Sequence, residues 1–216
     1  MNRRLLLWLA PAALYAAFFY WYTDFGGPLT DAEVDTFVNS MQERGGDPEL
    51  IARMETFFRE DSGNQFLMLN AIDLNDSPSD VEGAKPGASA GELMGHYMEY
   101  MFPALLKRAS HPVIYGDAVY STIDLVGIEG AEQWTAGAIF RYRSRRTLME
   151  IIGNPAMSER HEFKLAALDK TIAYPIETSL NPGDLRLLLG LVLLAITALL
   201  DIALCGRRNR RDNAEP

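Results

Sequence analysis

Cysteine is all but missing from this chain of 216 residues: the one present, Cys205, lies in an apolar run near the C-terminus. No disulfide and no cysteine-bound metal is therefore expected in the water-facing part of the chain, whatever the redox state of its compartment. Histidine is nearly as scarce, with only His96, His111 and His161, none of them paired at metal-ligand spacing. His161-Glu162 does not continue into a zinc motif, because position 165 is Leu. A P-loop, a GxGxxG turn after a strand and a GxSxG elbow are also lacking, so no phosphate cradle or serine nucleophile is assignable. No metal and no cofactor are expected, and the catalytic residues, if any, stay unknown.

Charge of one sign is short as well. Lys and Arg number 20 against 29 Asp and Glu, a formal net of −9. Residues 23–184 alone hold 13 basic and 26 acidic side chains, a net of −13. Such a surface repels phosphate backbones and anionic lipid, which argues against nucleic acid as a partner.

Long charge-free runs are what the sequence does have. Leu5–Tyr22 has no charged residue, and its 18 positions reach about 27 Å as a helix, enough for a bilayer core. Leu187–Cys205 has a single charge, Asp201. A cleaved signal peptide is the competing reading of the first run, but the run is long, ends in the aromatics Phe18 to Tyr22 and lacks a small-x-small cleavage site. Arg3 and Arg4 precede the first run, and Arg207, Arg208, Arg210 and Arg211 follow the second, so both termini are expected in the cytoplasm. The domain between them is then extracytoplasmic, periplasmic in a bacterium, on an inner (plasma) membrane. The expected divisions are an anchor at 1–22, a helical hairpin at 23–62, the main domain at 63–184, a second span at 185–206 and a basic cytoplasmic tail at 207–216. Asp201 is costly inside a span. Snorkelling to Arg207 or Arg208 would relieve it, as would contact with the first span or with another subunit.

Within the hairpin, Thr30 and Glu33 form a capping box ahead of Val34, Phe37, Val38 and Met41, and Gly45-Gly46 ends that helix. Asp47-Pro48 opens a second helix with Leu50, Ile51, Met54, Phe57 and Phe58 as its stripe. QFLMLNAIDL (65–74) is too continuously apolar for a strand with one wet face. A loop (75–89), a long helix (90–109) that Pro103 should kink or split, and strands at 112–125 and 133–142 follow. Helical stretches at 148–152 and 155–170 and a short strand at 171–176 complete the domain. The order β-α-β-β-α-β is that of an α+β, ferredoxin-like domain with a four-stranded antiparallel sheet.

Three stretches carry a resemblance: FLMLNAIDL (66–74), YMEYMFPALLKR (97–108) and AIFRYRSRRTLMEIIGNPAMSERHEFKLAALDKTIAYPIE (138–177). In this order and spacing they resemble the dimeric α+β-barrel superfamily, and within it the small uncharacterised proteins of the DUF1330 type. The resemblance spans about residues 64–177, and it departs from the family at Arg143, where a proline is usual, and in the two spans and the hairpin. It implies that two sheets face each other across a dimer axis, which would give the apolar first strand its second cover. Relatives in the superfamily include monooxygenases and haem-dependent enzymes, although no haem-ligand histidine is assignable here.

Several residues are candidates for a ligand site. Strand alternation sends Arg141 to one face and Ala138, Phe140 and Tyr142 to the other. A buried guanidinium needs partners, and Asp73, Asp117 or Asp124 would supply a structural ion pair; an anionic ligand is the alternative. Arg145 and Arg146 belong to an exposed helix start. Asn70 interrupts an apolar strand and would tie down a loop or orient a ligand carbonyl. Tyr97, Tyr115 and Tyr142 would bring hydroxyls to a cavity if they are not simply core aromatics. His161 on the last helix, or His96 on the central one, would act as a base if it faced that cavity. Two functions follow: a membrane-anchored accessory or assembly protein acting through homodimerisation or docking on a membrane complex, or a small-molecule binder or cofactor-free, monooxygenase-like enzyme.

Overall fold

The computed structural model describes residues 3–212, and side chains from Arg4 to Leu204. Cys205 and the four arginines of the tail lie outside the described side chains, and residues 213–216 outside the described residues altogether. Two compact units emerge, one formed by the chain ends up to Thr23 and from Ser179, the other by Asp24–Thr178.

The first unit is a pair of helices, α1 (Arg3–Tyr22) and α7 (Leu185–Asp212). Arg4–Tyr22 and Leu185–Leu204 are each long and apolar enough to cross a membrane. The two helices run antiparallel. Near the start of α1, Arg4 donates from Nε and NH2 to Asp201 Oδ2 at 3.1 and 2.8 Å. Midway, the Tyr15 ring lies against Gly190, where an added Cβ would come within 3.3 Å of it. At the far end, Arg186 donates to the Thr23 hydroxyl at 3.2 Å. Of the ways open to Asp201, contact with the first span is therefore realised.

The second unit is α+β. Its strands are β1 (Phe66–Leu74), β2 (His111–Asp117), β3 (Ala136–Tyr142) and β4 (Leu168–Ile176), all antiparallel in the order β2-β3-β1-β4. That is the ferredoxin-like arrangement, with α4 (Ala90–Lys107) and α6 (Pro155–Ala167) as its crossover helices. α4 opens on a full capping box from Ser89 and Glu92, α6 on the Asn154 side chain and Pro155. α4 runs through Pro103 without being split.

One face of the sheet meets the helices. Phe66 stacks on Tyr142 at 5.1 Å with the rings 6° apart, and Met68, Leu74 and Phe140 continue that face into a core containing Leu93, Tyr97, Leu105 and Ile151. The hairpin α2 (Asp31–Glu43) and α3 (Pro48–Arg59) packs on the domain and is part of the same core: Val34, Phe37, Ile51 and Phe58 belong to its apolar cluster. Phe37 meets Phe58 edge-on at 5.1 Å. Each side chain of this kind, once buried, stabilises the fold by about 1.5–3 kcal/mol.

Several expected boundaries move: the strand expected from 133 begins at Ala136, the helix expected from 148 begins at Arg145, and the helix expected to reach 170 ends at Ala167. β2 ends at Asp117, and residues 118–125 form an exposed connection, because Val119, Tyr120, Ile123 and Val126 do not alternate and have no strand beside them to pair with. β4 begins at Leu168, three residues early, because Asp73 pairs with Lys170 across a register irregularity at Asp73/Leu74.

Candidate functional site

Strand register decides where the candidate residues go. Asn70 lies opposite Ala138 on β3, on the face that meets the helices, while Arg141 lies opposite Leu67, on the other face. The two residues on which a shared cavity would rest are thus separated by the sheet itself. Asn70 spends its amide locally, donating to the Met68 carbonyl at 3.0 Å and to the Ala138 carbonyl at 3.4 Å.

Arg141 is 1% exposed. Its Nε donates to Gln65 Oε1 at 2.8 Å and its NH1 to the Ala109 carbonyl at 2.5 Å. Ala109 holds a left-handed φ of 52°, which bends the chain between α4 and β2. The expected ion pairs with Asp73, Asp117 or Asp124 are not made. Arg141 is registered with Leu67 and His111 at one end of the sheet, whereas Asp73 is six residues further along β1, about 20 Å away. Asp117 lies opposite Ala136 at that same far end and Asp124 beyond it. Asp73 instead pairs with Lys170 at 3.3 Å and accepts from the Thr135 hydroxyl at 3.0 Å.

The other arginines of the cluster are engaged rather than solvent-facing. Arg143 approaches Asp24 at 3.9 Å, and the Ser144 hydroxyl donates to the same carboxylate at 2.5 Å while capping α5 (Arg145–Ile152). Burial of Asp24 opposes its ionisation, but Ser144, the Gly26 amide and Arg143 together hold its carboxyl below the usual range. Arg145 donates to the Phe57 carbonyl at 2.5 Å and to Glu177 at 3.1 Å, and lies 3.7 Å from Asp61. Arg146 pairs with Glu33 and donates to the Pro28 carbonyl at 3.2 Å. The expected exposure of Arg145 and Arg146 is thereby corrected: both reach acceptors that the entering chain, the hairpin and the leaving chain bring to this junction. The segment 143–146 thus ties together the residues by which the chain enters the domain (Asp24, Pro28, Glu33), the hairpin's end and the residue by which it leaves (Glu177).

The remaining candidates do not converge. Tyr97 is 8% exposed in the core with Lys164 over its ring at 5.7 Å, and burial pushes the hydroxyls of Tyr97 and Tyr142 well above the ordinary tyrosine value, so both stay protonated. His161 is half-buried on α6; its Nδ1 has no hydrogen-bond partner among the described residues, and burial pushes its pKa down. His96 packs its ring 5.1 Å from Phe163. Tyr115, on the edge strand, is 66% exposed. An open groove of about 520 Å³ beside α4 is lined by Lys85, Ala88, Glu92, His96 and Glu99, among others. Its carboxylate Glu92 is already bound: Lys85 first, with the Ser89 amide and hydroxyl, lowers it to about 2. Among the described residues no group of three or more His, Cys, Asp or Glu is placed to hold a metal.

The sheet face away from the helices is the feature that single-residue reading misses. Leu67, Leu69 and Ala71 of β1 are matched with Ile176, Tyr174 and Ile172 of β4, and Ile139 of β3 with Ile114 of β2. Tyr174 is 51%, Ile114 57% and Ile172 39% exposed. An antiparallel sheet with one face in solvent ordinarily puts polar side chains there. Here the middle of the face is apolar on all four strands, between Arg141 with His111 at one end and the Asp73–Lys170 pair at the other. Its signal was the period-two run Ile172, Tyr174, Ile176 in β4.

Neither a family model nor a curated protein matches the sequence. Among solved structures, the chain is similar to the RPA0582 protein of unknown function from Rhodopseudomonas palustris, with a TM-score of 0.50 at 20% identity over 63% of this chain and 95% of that one. The methylated form of the RPA0582 protein gives 0.50 at 21% identity over 64% and 95%. At such identities the likeness is one of fold: an α+β domain with a four-stranded antiparallel sheet.

Proposed function

We propose that this chain is a membrane-anchored assembly protein whose extracytoplasmic ferredoxin-like domain pairs with a second copy through the apolar sheet face, as in the dimeric α+β barrels and the DUF1330-type proteins that its sequence resembles. The observation that carries this reading is the apolar patch formed by Leu69, Ile114, Ile139, Ile172, Tyr174 and Ile176, bounded by buried Arg141 at one end and the Asp73–Lys170 pair at the other. Four strands about 4.8 Å apart, apolar over about 17 Å, offer a footprint of about 330 Å² per copy. Two such faces come to about 650 Å², below the roughly 1,000 Å² of a specific interface between free partners. Anchoring both copies in one membrane adds effective concentration to that modest area. A filled helix-side core, with Asn70 and Arg141 on opposite faces, favours assembly over chemistry in a cavity.

The antiparallel pairing of α1 and α7 through Arg4 and Asp201 supports two retained spans with their outer ends on one side, and the flanking arginines in the sequence favour the cytoplasm for that side. A photo-crosslinking side chain placed at Tyr174 of the full-length protein in native membranes tests the pairing. An adduct of twice the chain mass is expected; lipid adducts or none would overturn it.

A further inference from the structure

The connection between β2 and β3 is built like a hairpin and dressed like an interior. Val119 and Ile123 are 98% and 95% exposed, with Tyr120 at 79% and Val126 at 83%. Its neck is nonetheless fixed. The Ala118 amide donates to the Thr135 carbonyl at 2.9 Å, the Thr122 amide to the Glu132 carbonyl at 2.9 Å, and the Thr122 hydroxyl to the Ala131 carbonyl at 2.7 Å. Trp134 Nε1 donates to that same carbonyl at 3.0 Å, and Lys170 closes the base on the Gly130 carbonyl at 2.6 Å. Gly127 and Gly130, at φ +74° and +71°, turn the tip. Apolar side chains held outward on a fixed neck are pre-organised for burial against something else.

Charge and position narrow what that is. No Lys or Arg occurs from Ala109 to Phe140, while Asp117, Asp124, Glu129 and Glu132 line the arm. The chain enters the domain at Asp24, bonded to Ser144, and leaves beyond Ile176, which is registered with Leu67, so both connections to the spans lie at the Phe66–Tyr142 end of the sheet. The arm leaves the opposite end, about 20 Å along the strands, and its four carboxylates, with no cation among them, disfavour an anionic lipid surface as its target. A second copy would bring the same acidic domain, 13 basic against 26 acidic side chains in residues 23–184, and like charge disfavours it as the target.

We propose that residues 118–132 are a docking arm for a different extracytoplasmic protein, one that presents an apolar groove rimmed by Lys or Arg. This rests on the extracytoplasmic placement proposed above but not on the sheet-face dimer. The test uses the full-length protein in its native membrane, with a photo-crosslinking side chain at Ile123 and, separately, at Tyr174. At Ile123 the expected product is an adduct with one other protein species, its mass differing from twice the chain mass. That adduct should fall on the order of tenfold with Val126→Ser, and likewise with the pair Asp124→Asn and Glu129→Gln, or on raising NaCl from about 0.05 M to about 0.5 M. The Tyr174 product in the same variants reports that the domain is still folded. An Ile123 adduct of twice the chain mass, a lipid adduct, no adduct, or one indifferent to both sets of substitutions overturns the arm. None of these bears on the dimer, which fails only if Tyr174 gives no product of twice the chain mass.

Discussion

Arg4 in the first span and Asp201 in the second are joined through two guanidinium nitrogens, at 3.1 and 2.8 Å, on a single carboxylate oxygen. The carboxylate side chain is 11% exposed and the arginine 64%, so most of the cost of separating them falls on Asp201. Asp201→Ala is expected to loosen the helix pair by no more than about 1 kcal/mol, since polar contacts between spans average less than that. Replacing both residues, Arg4→Asp with Asp201→Arg, should recover part of the loss. Thermal unfolding in mild detergent measures both, and full stability in Asp201→Ala would show that the pair contributes nothing.

Arg141 is expected to matter far more than its neighbours. Arg141→Ala strands the Gln65 amide oxygen and the Ala109 carbonyl in a buried site and leaves a cavity, for a loss of about 3 kcal/mol. Arg146→Ala breaks a pair with Glu33 whose side chains are 21% and 38% exposed, for about 1 kcal/mol or less. Denaturant unfolding of the two variants ranks them. Equal losses would mean that Arg141 is not the buried anchor described.

Much of this was legible beforehand, and the failures share one cause. Periodicity and turn residues located all four strands and the βαββαβ order, with Asn75 closing β1 and Gly127 to Gly130 separating β2 from β3. The role of the arginine cluster was not legible, because Asp24, Asp61 and Glu177 are remote in sequence and only the fold brings them to residues 143–146. Arg141 was correctly sent to the face away from Ala138, but its partners are a carbonyl and an amide that no charge-matching argument selects. Residues 118–125 have the β-branched and aromatic composition of a strand but lie outside β2, since composition alone does not show whether another strand lies alongside.

Acid should destabilise the domain in two steps. Burial lowers the pKa of His161 from its ordinary 6.5, so the unfolded chain binds the proton more readily. The stability that this contributes is complete above about pH 6.5 and is lost as pH falls through the lower folded value. His161→Leu should abolish that upper step. Glu177, lowered chiefly by the Ser62 hydroxyl and then by Arg145, and Asp24 contribute a second step: their stabilisation is present above their ordinary values of 4.5 and 3.8 and lost below. Thermal midpoints between about pH 8 and about pH 3 record both steps. A curve for His161→Leu parallel to that of the wild type would contradict the first.

The pairing of two sheets is most directly tested by the mass of the full-length protein in mild detergent, measured by sedimentation with the detergent contribution matched out. Tyr174 is half exposed in the centre of β4's apolar face, so Tyr174→Asp leaves the fold intact while placing a charge in the interface. The wild-type protein is expected to sediment as two copies and Tyr174→Asp as one, with unchanged far-ultraviolet circular dichroism. A single copy in the wild type, or two copies in Tyr174→Asp, would contradict it.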